Sequence, residues 1–310
     1  MRIVFCGTPQ FAVPTLEAVL NAGHTVDLVL SQPDRPSGRA MEVQFSAVKQ
    51  FALERRLAIE QPEKIRNNVE LQERLRNIGA DAVLIVAYGR LIPPWMLALP
   101  RYGNLNLHAS LLPKYRGAAP IQWAVANGEC ETGVTTMRID EGLDTGDILL
   151  EERVPIAHGI TSVELSLILA DLGATLMVRT LDGLAAGRLQ GRAQDAAQAT
   201  FAPILTREDG RIDWTRPAVQ IYNRWRGFQP WPGAFTSFRG KKLTAHAMRI
   251  ADRVESAAPG ALLRLGNYLL VACGADTWLE LLELQLEGKR RMPADVFLNG
   301  FPLTTGERLG

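Results

Sequence analysis

Along the first half of the chain, short apolar runs alternate with stretches of helical period. Residues 2–6, 25–31 and 82–87 have strand length and are rich in apolar and β-branched side chains. The unbroken 82–87 run is the pattern of a strand buried on both faces. Between these runs, 11–22 (closed by Gly23), 46–56 and 63–77 read as helices, and 32–43 reads as a loop. Further on, 105–108, 132–139 and 148–155 read as strands, and 120–127 and 161–187 as helices. This alternation predicts a parallel, doubly wound α/β sheet. The pattern changes after residue 188. Residues 189–200 are small and polar without periodicity, which suggests a linker. A helix at 217–228 and short strands at 235–238, 242–250, 261–265, 268–273 and 278–286 then predict a small β-barrel-like domain. The expected organisation is a first domain at 1–188, a linker at 189–206 and a second domain at 207–310.

The strand at 104–108 breaks the apolar rule. Side chains alternate between the faces of a strand, so Asn104, Asn106 and His108 share one face and Leu105 and Leu107 the other. Asn packs poorly on a pleated, half-buried surface. Two Asn and a His on one face, running into Ser110-Leu111-Leu112-Pro113-Lys114-Tyr115-Arg116-Gly117, point to a site, although polar groups satisfied at a strand end would read the same way. An Asn amide is a suitable donor to an oxyanion, and a His moves protons near neutral pH. The acidic stretch Asp140-Glu141-Gly142-Leu143-Asp144-Thr145-Gly146-Asp147 follows the 132–139 strand. It reads as a surface turn, a metal loop or a source of carboxylate. Ligands of open α/β sheets bind outside the carboxyl ends of strands. Both loops leave strand ends, so they are expected to face one cleft and bring Asp144 near His108.

Composition narrows the classes. With 310 residues, 47% hydrophobic and 22% charged, the chain suits two globular domains. Residues 1–200 hold 19 basic and 22 acidic side chains, net −3; residues 201–310 hold 15 and 11, net +4. The second half therefore suits an anionic partner, and equally an ordinary solvated surface. Three cysteines without ligand spacing fit a reducing cytosol. No run approaches the ~18 apolar residues of a membrane helix, and the apolar start at 3–6 is too short for a signal peptide. A soluble cytoplasmic protein is expected. Among the histidines, His24 and His158 are expected at the surface and His246 on an exposed strand; no two share metal-ligand spacing, which argues against a metal site. Gly7-Thr8-Pro9 stands where a nucleotide-binding turn would, but lacks the G-x-G-x-x-G spacing. A tight strand-to-helix turn is the expectation there. Trp225, Phe228 and Trp231 are expected to pack in the core or at the domain junction.

Taken together, Asn106-x-His108, Ser110-Leu111-Leu112-Pro113, Tyr115-Arg116-Gly117 and Leu143-Asp144-Thr145-Gly146 resemble the 10-formyltetrahydrofolate-dependent formyltransferases. Gly7-Thr8-Pro9-x-Phe11-Ala12, Gln32-Pro33-Asp34-Arg35-Pro36 and Gly117-Ala118-Ala119-Pro120-Ile121-Gln122 are similar to the branch that acts on an aminoacylated tRNA, and Phe228-x-Pro230-Trp231-Pro232-Gly233 extends the likeness into the second domain. The resemblance implies a Rossmann-like catalytic domain followed by an OB-like β-barrel that contacts tRNA. It implies formyl transfer from 10-formyltetrahydrofolate, the co-substrate, to the α-amine of methionine on initiator methionyl-tRNA, without a metal. It places Asn106, His108 and Asp144 as the catalytic trio and Ser110, Leu111, Leu112 and Pro113 at the folate. Arg39, Lys241 and Lys242 are candidate tRNA contacts, with Lys289-Arg290-Arg291 as a further basic cluster. The stretch Ala40-Met41-Glu42-Val43-Gln44 is less basic than the family pattern, which predicts a weaker electrostatic share for that loop. A monomer is expected.

Overall fold

The computed structural model describes residues 1–37, 42–252 and 256–310. Two compact units interleave along the chain. Met1–Pro120, Glu131–Pro155 and Glu164–Pro203 form the first; Ile121–Cys130, Ile156–Val163 and Ile204–Gly310 form the second. The 189–203 segment, expected as a connector, thus lies within the first unit.

Up to residue 203 the elements are β1 (Arg2–Gly7), α1 (Val13–Asn21), β2 (Thr25–Leu30), β3 (Arg35–Ser37), β4 (Glu42–Gln44), α2 (Ala47–Glu54), β5 (Ile59–Glu60), α3 (Val69–Ile78), β6 (Ala82–Val86), α4 (Pro94–Leu97), β7 (Asn104–His108), α5 (Pro120–Ala126), β8 (Glu131–Arg138), β9 (Ile148–Pro155) and α6 (Ser162–Ala185). The main sheet has the order β5-β2-β1-β6-β7-β8-β9. Its first five strands run parallel, as expected of a Rossmann-like sheet; β8 runs antiparallel to β7, and β9 antiparallel to β8. All five residues of β6 are buried. Val4, Cys6, Leu28, Leu30, Val83 and Ile85 pack on Leu71 and Leu75 of α3 and Met96 of α4. The alternate residues Ile3, Phe5, Val29 and Leu84 are equally buried, which is why these strands read as continuous apolar runs.

Helix α3 starts at Val69, six residues after the expected start. Asn68 caps it, its Oδ1 accepting from the Leu71 N–H at 3.0 Å. Upstream, Ile65 is buried in the same core. The expected loop at 32–43 contains the short antiparallel pair β3–β4. Gly7 ends β1 for steric reasons: a methyl there would meet the Phe5 ring at 2.8 Å and Ala12 at 2.9 Å.

The second unit adds α7 (Ala218–Gly227), β10 (Phe235–Phe238), β11 (Lys241–Ala251), β12 (Leu262–Leu265), β13 (Tyr268–Cys273), β14 (Thr277–Leu286), β15 (Met292–Pro293) and α8 (Ala294–Gly300). The strands form an antiparallel sheet of order β10-β11-β14-β13-β12, with β15 beside β14. The expected barrel is not closed: among the described residues, β10 and β12 stand at the two ends of that path and do not pair with each other. The β10–β11 turn places Arg239 and Gly240 at φ 51° and 74°, the left-handed pair that a two-residue hairpin requires. Helix α5 meets α7 within this unit, and Gly227 permits the approach, since a methyl there would lie 2.6 Å from the Ala126 nitrogen. Phe228 is buried with its ring edge-on to Trp123 at 5.2 Å, and Trp225 packs partly buried against the core of this unit. Trp231 departs from the expectation of core or junction packing: it is 56% exposed.

Candidate active site

Strand β7 carries the alternation through to three dimensions. Leu105 and Leu107 are buried. Leu107 rests on Gly173 of α6, where a methyl would sit 2.5 Å from its Cδ2. On the other face, the Asn104 amide donates to the Met96 and Leu97 carbonyls at 3.0 and 3.3 Å, tying β7 to α4. Asn104 is thus a structural residue. Asn106 is half-buried, and among the described residues its side-chain amide has no hydrogen-bond partner.

His108 is buried at the carboxyl end of β7. Its Nε2 lies 2.9 Å from the Tyr115 carbonyl oxygen. A carbonyl only accepts, so Nε2 carries the hydrogen. Nδ1 faces Asp144 Oδ2 at 3.7 Å, too far for a direct hydrogen bond but close enough for ion pairing. That same carboxylate oxygen accepts from the Gly117 N–H at 2.8 Å. The ring therefore has an acceptor oxygen opposite each nitrogen, and the imidazolium has a partner at both.

Asp144 arrives by a different route from the one expected. Strand β8 is antiparallel to β7 and pairs Arg138 with Leu105. The 139–147 loop therefore leaves beside the amino end of β7, where the Ile139 N–H donates to the Asn104 carbonyl at 2.8 Å. It then turns back to bring Asp144 to His108. Asp144 adopts a φ of 51°, a conformation that costs a non-glycine residue energy and must be held by its surroundings. The neighbouring acid Asp140 folds the loop on itself, accepting from the Gly142 N–H at 3.0 Å and the Thr145 hydroxyl at 2.7 Å. Among the described residues, no group of three or more His, Cys, Asp or Glu is placed to hold a metal ion. Gly146 lets the loop close, because a methyl there would overlap the Arg138 carbonyl oxygen. Gly146→Ala is expected to destabilise the fold by about 1–3 kcal/mol, read from denaturant midpoints, and to lower activity by shifting Asp144. An unchanged midpoint and rate would show that the loop is free to relax.

The 110–113 segment divides in two. Ser110 is fully buried, its hydroxyl donating to the Lys114 carbonyl at 2.6 Å. Leu112 is packed with Met137 and Ile148. Thr135 of β8 pins the segment, donating to the Ser110 carbonyl at 2.7 Å and accepting from the Leu112 N–H at 3.2 Å. Leu111 and Pro113 keep partial exposure. Two motifs singled out in the sequence, at 7–12 and 32–36, meet beyond the carboxyl ends of β1 and β2. The Thr8 hydroxyl accepts from the Gln32 N–H at 3.3 Å and donates to the Tyr88 carbonyl at 3.3 Å. The Gln32 amide donates to the Tyr88 and Gly89 carbonyls at 3.0 and 3.1 Å and accepts from Arg90 at 3.0 Å. Sequence reasoning missed Thr135, the Tyr115 carbonyl and the Gly117 N–H as parts of the site. Backbone groups and a Thr on a buried strand leave no residue-type signal.

Arg39 lies outside the described residues. Lys241 is exposed, and the Lys242 ammonium stands 4.4 Å over the Phe235 ring. His158 is exposed, as expected. His246 is half-buried and shares a hydrogen bond with the Gln285 side chain at 3.0 Å. His24 is half-buried rather than fully at the surface: its Nε2 is buried without a partner among the described residues, and its Nδ1 lies 3.2 Å from the N-terminal ammonium. Burial, and then that ammonium, hold its basicity below the ordinary histidine range. None of these three histidines joins His108 in an ion pair or hydrogen bond among the described residues. No helix of the described residues is long and apolar enough to cross a membrane.

Comparison with known proteins places this geometry. Residues 1–181 match the model of the formyl transferase family, and 204–302 match that of the formyl transferase C-terminal domain. The methionyl-tRNA formyltransferase of Acidobacterium capsulatum is 62% identical over 310 residues, covering all of both chains. That of Koribacter versatilis is 56% identical over 311 residues, covering 100% of this chain and 99% of its own. Among solved structures, an N-formyltransferase from Helicobacter canadensis, in complex with folinic acid and dTDP-3-aminofucose, superposes with a TM-score of 0.65 at 16% identity, covering 90% of this chain and 98% of its own. At that identity it supports the fold alone. Full-length identity of this order, together with both family models, shows that the chain belongs to the methionyl-tRNA formyltransferase family.

Proposed function

We propose that the chain transfers the formyl group of 10-formyltetrahydrofolate to the α-amine of methionine on initiator methionyl-tRNA. Full-length family membership supports this reading. One geometric observation carries it to the residues. On a single strand face, an amide without a hydrogen-bond partner among the described residues stands two residues from an imidazole seated between two acceptor oxygens. Acyl transfer to an amine needs a donor where the oxyanion develops and a route for the amine proton.

The folate co-substrate supplies an activated formyl group. The amine nitrogen bonds to the formyl carbon as the bond from that carbon to N10 breaks, and one amine proton ends on N10. Asn106 donates its amide N–H to the formyl oxygen as it becomes an oxyanion. Because Nε2 is engaged by Tyr115, Nδ1 is the His108 nitrogen that handles the amine proton, and Asp144 stabilises the imidazolium. Leu111 and Pro113, still partly exposed, give the folate an apolar wall, while Ser110 and Leu112 fix its shape. The second unit serves as an OB-like scaffold for the tRNA, with Arg39, Lys241 and Lys242 as basic contacts. The protein acts as a cytoplasmic monomer, with the boundaries 1–188, 189–206 and 207–310 marking catalytic part, connector and tRNA-contacting part.

The test is formylation of methionyl initiator tRNA by the protein with 10-formyltetrahydrofolate, alongside a nucleotide-linked amino sugar as rival acceptor. Transfer to the tRNA alone is expected. Formyl reaching the sugar amine but not the tRNA overturns the proposal. The attacking amine must be neutral, and an α-amine titrates at about 8. The rate is therefore expected to fall about tenfold per pH unit below that value and to level off above it. A flat profile between pH 6 and 8 would show that amine attack does not limit the rate.

A further inference from the structure

Both acceptors that flank His108 are braced by one segment, residues 194–202. The Gln194 amide nitrogen donates to the Asp144 carbonyl at 2.8 Å and the Gly146 carbonyl at 2.7 Å. Its oxygen accepts from Arg116 Nε at 3.1 Å and Nη2 at 2.7 Å. One side chain thus joins the Asp144 loop to the loop that carries Tyr115 and Gly117. Arg116 is buried, and a buried guanidinium needs acceptors for its rigid fork of donors. Six residues on, the Thr200 hydroxyl accepts from the Tyr115 N–H at 2.9 Å. The Thr200 carbonyl accepts from the Arg116 N–H at 2.8 Å, and the Ala202 N–H donates to the Arg116 carbonyl at 2.8 Å. Gly117 lies so close to this segment that a methyl there would stand 2.7 Å from the Ala202 carbonyl oxygen.

The two braced residues are the ones that require bracing. Tyr115 and Asp144 both have positive φ, at 59° and 51°. Such conformations persist in non-glycine residues only where the surrounding contacts over-determine them. A rotation at either residue would move an acceptor away from one nitrogen of the His108 ring.

We propose that Gln194 and Thr200 are positioning residues: they set the distance between the Tyr115 carbonyl and the Asp144 carboxylate, and so the orientation of His108. This rests on the role proposed above for His108. Neither residue is a hydrogen-bond or ion-pair partner of the ring among the described residues, and both act through the backbone of the residues that are.

Three variants in the full-length protein test it, with formylation of methionyl-tRNA as the readout. Gln194→Glu keeps the acceptor for Arg116 and removes both donors to the Asp144 loop. Thr200→Val removes the acceptor for the Tyr115 N–H at nearly constant shape, and Thr200→Ser restores it. Gln194→Glu and Thr200→Val are each expected to lower kcat about ten- to a hundredfold, with KM for both substrates within about twofold. Thr200→Ser is expected to stay within about twofold of the parent. In an Asp144→Ala background, Gln194→Glu should cost no more than about twofold, because its effect runs through Asp144. An undiminished loss in that background, or a loss carried by KM alone, overturns the proposal. So do parent-like rates for Gln194→Glu and Thr200→Val when His108→Ala is strongly impaired. A parent-like rate for His108→Ala instead removes the reading of the site on which the proposal stands.

Discussion

His108→Ala is expected to lower kcat at saturating substrates by at least about 10²-fold, the scale of general acid–base catalysis. The ring does two things that alanine cannot. Its Nε2–H occupies the Tyr115 carbonyl at 2.9 Å, and its Nδ1 is the nitrogen that faces Asp144 at 3.7 Å. Truncation also leaves a buried carbonyl without its donor, at a cost of about 1–3 kcal/mol. The variant is therefore compared with His108→Asn, whose amide N–H can still reach toward an acceptor but which cannot take up a proton. Both are expected to be slow, and His108→Asn to be the more stable in denaturant melts. A single-turnover time course decides the matter: a near-normal rate in folded His108→Asn removes the ring from the reaction.

Asn106→Ala is expected to lower kcat by about 10²–10³-fold with little change in KM, as loss of a single oxyanion donor does elsewhere. The side chain is half-buried and makes no hydrogen bond within the described residues. Its removal leaves no group of the described residues unsatisfied, so the melting midpoint should stay close to that of the parent. That combination separates a role in the transition state from a role in the fold. Asn106→Asp, which presents acceptors to the developing negative charge, should be slower still. An Asn106→Ala enzyme with parent-like kcat and raised KM would instead assign the amide to ground-state binding. Asn104 provides the contrast on the same face: its amide is committed to the Met96 and Leu97 carbonyls, so its loss should weaken the fold more than the chemistry.

Much of the first unit was legible because its determinants are local. The 82–86 run is uniformly apolar since both faces of β6 are covered. The 104–108 pattern alternates because a strand does, and the three polar residues share a face as periodicity two requires. Helix α2 begins where Ser46 can cap it, its hydroxyl accepting from the Lys49 N–H at 3.1 Å. The start of α3 was misread because 63–68 has helical composition, while the burial of Ile65 and the Asn68 cap, which are tertiary and stereochemical facts, delay the helix to Val69. The second unit illustrates the limit of local reading differently. Its strands are recognisable from alternation and from turns such as Arg239-Gly240. Closure depends on whether the edge strands β10 and β12 meet, and no local pattern encodes that.

The sequence by itself determined which polar residues share one face of β7. Side-chain type and the two-residue period are properties of the chain alone. It also determined the family, because motif order and spacing survive without coordinates. Only the tertiary structure decided how the carboxylate reaches the histidine. Strand direction is invisible to periodicity, since a strand alternates identically whether its neighbour is parallel or antiparallel. The antiparallel run of β8 sends the 139–147 loop out beside the amino end of β7, and the loop returns to set Asp144 opposite His108. Likewise, only the tertiary structure shows that 194–202 is hydrogen-bonded to the 115–117 and 144–146 stretches. Small polar residues without periodicity look like a connector when their partners, here the backbone of Tyr115, Asp144 and Gly146, lie some 50 to 85 positions away in the chain.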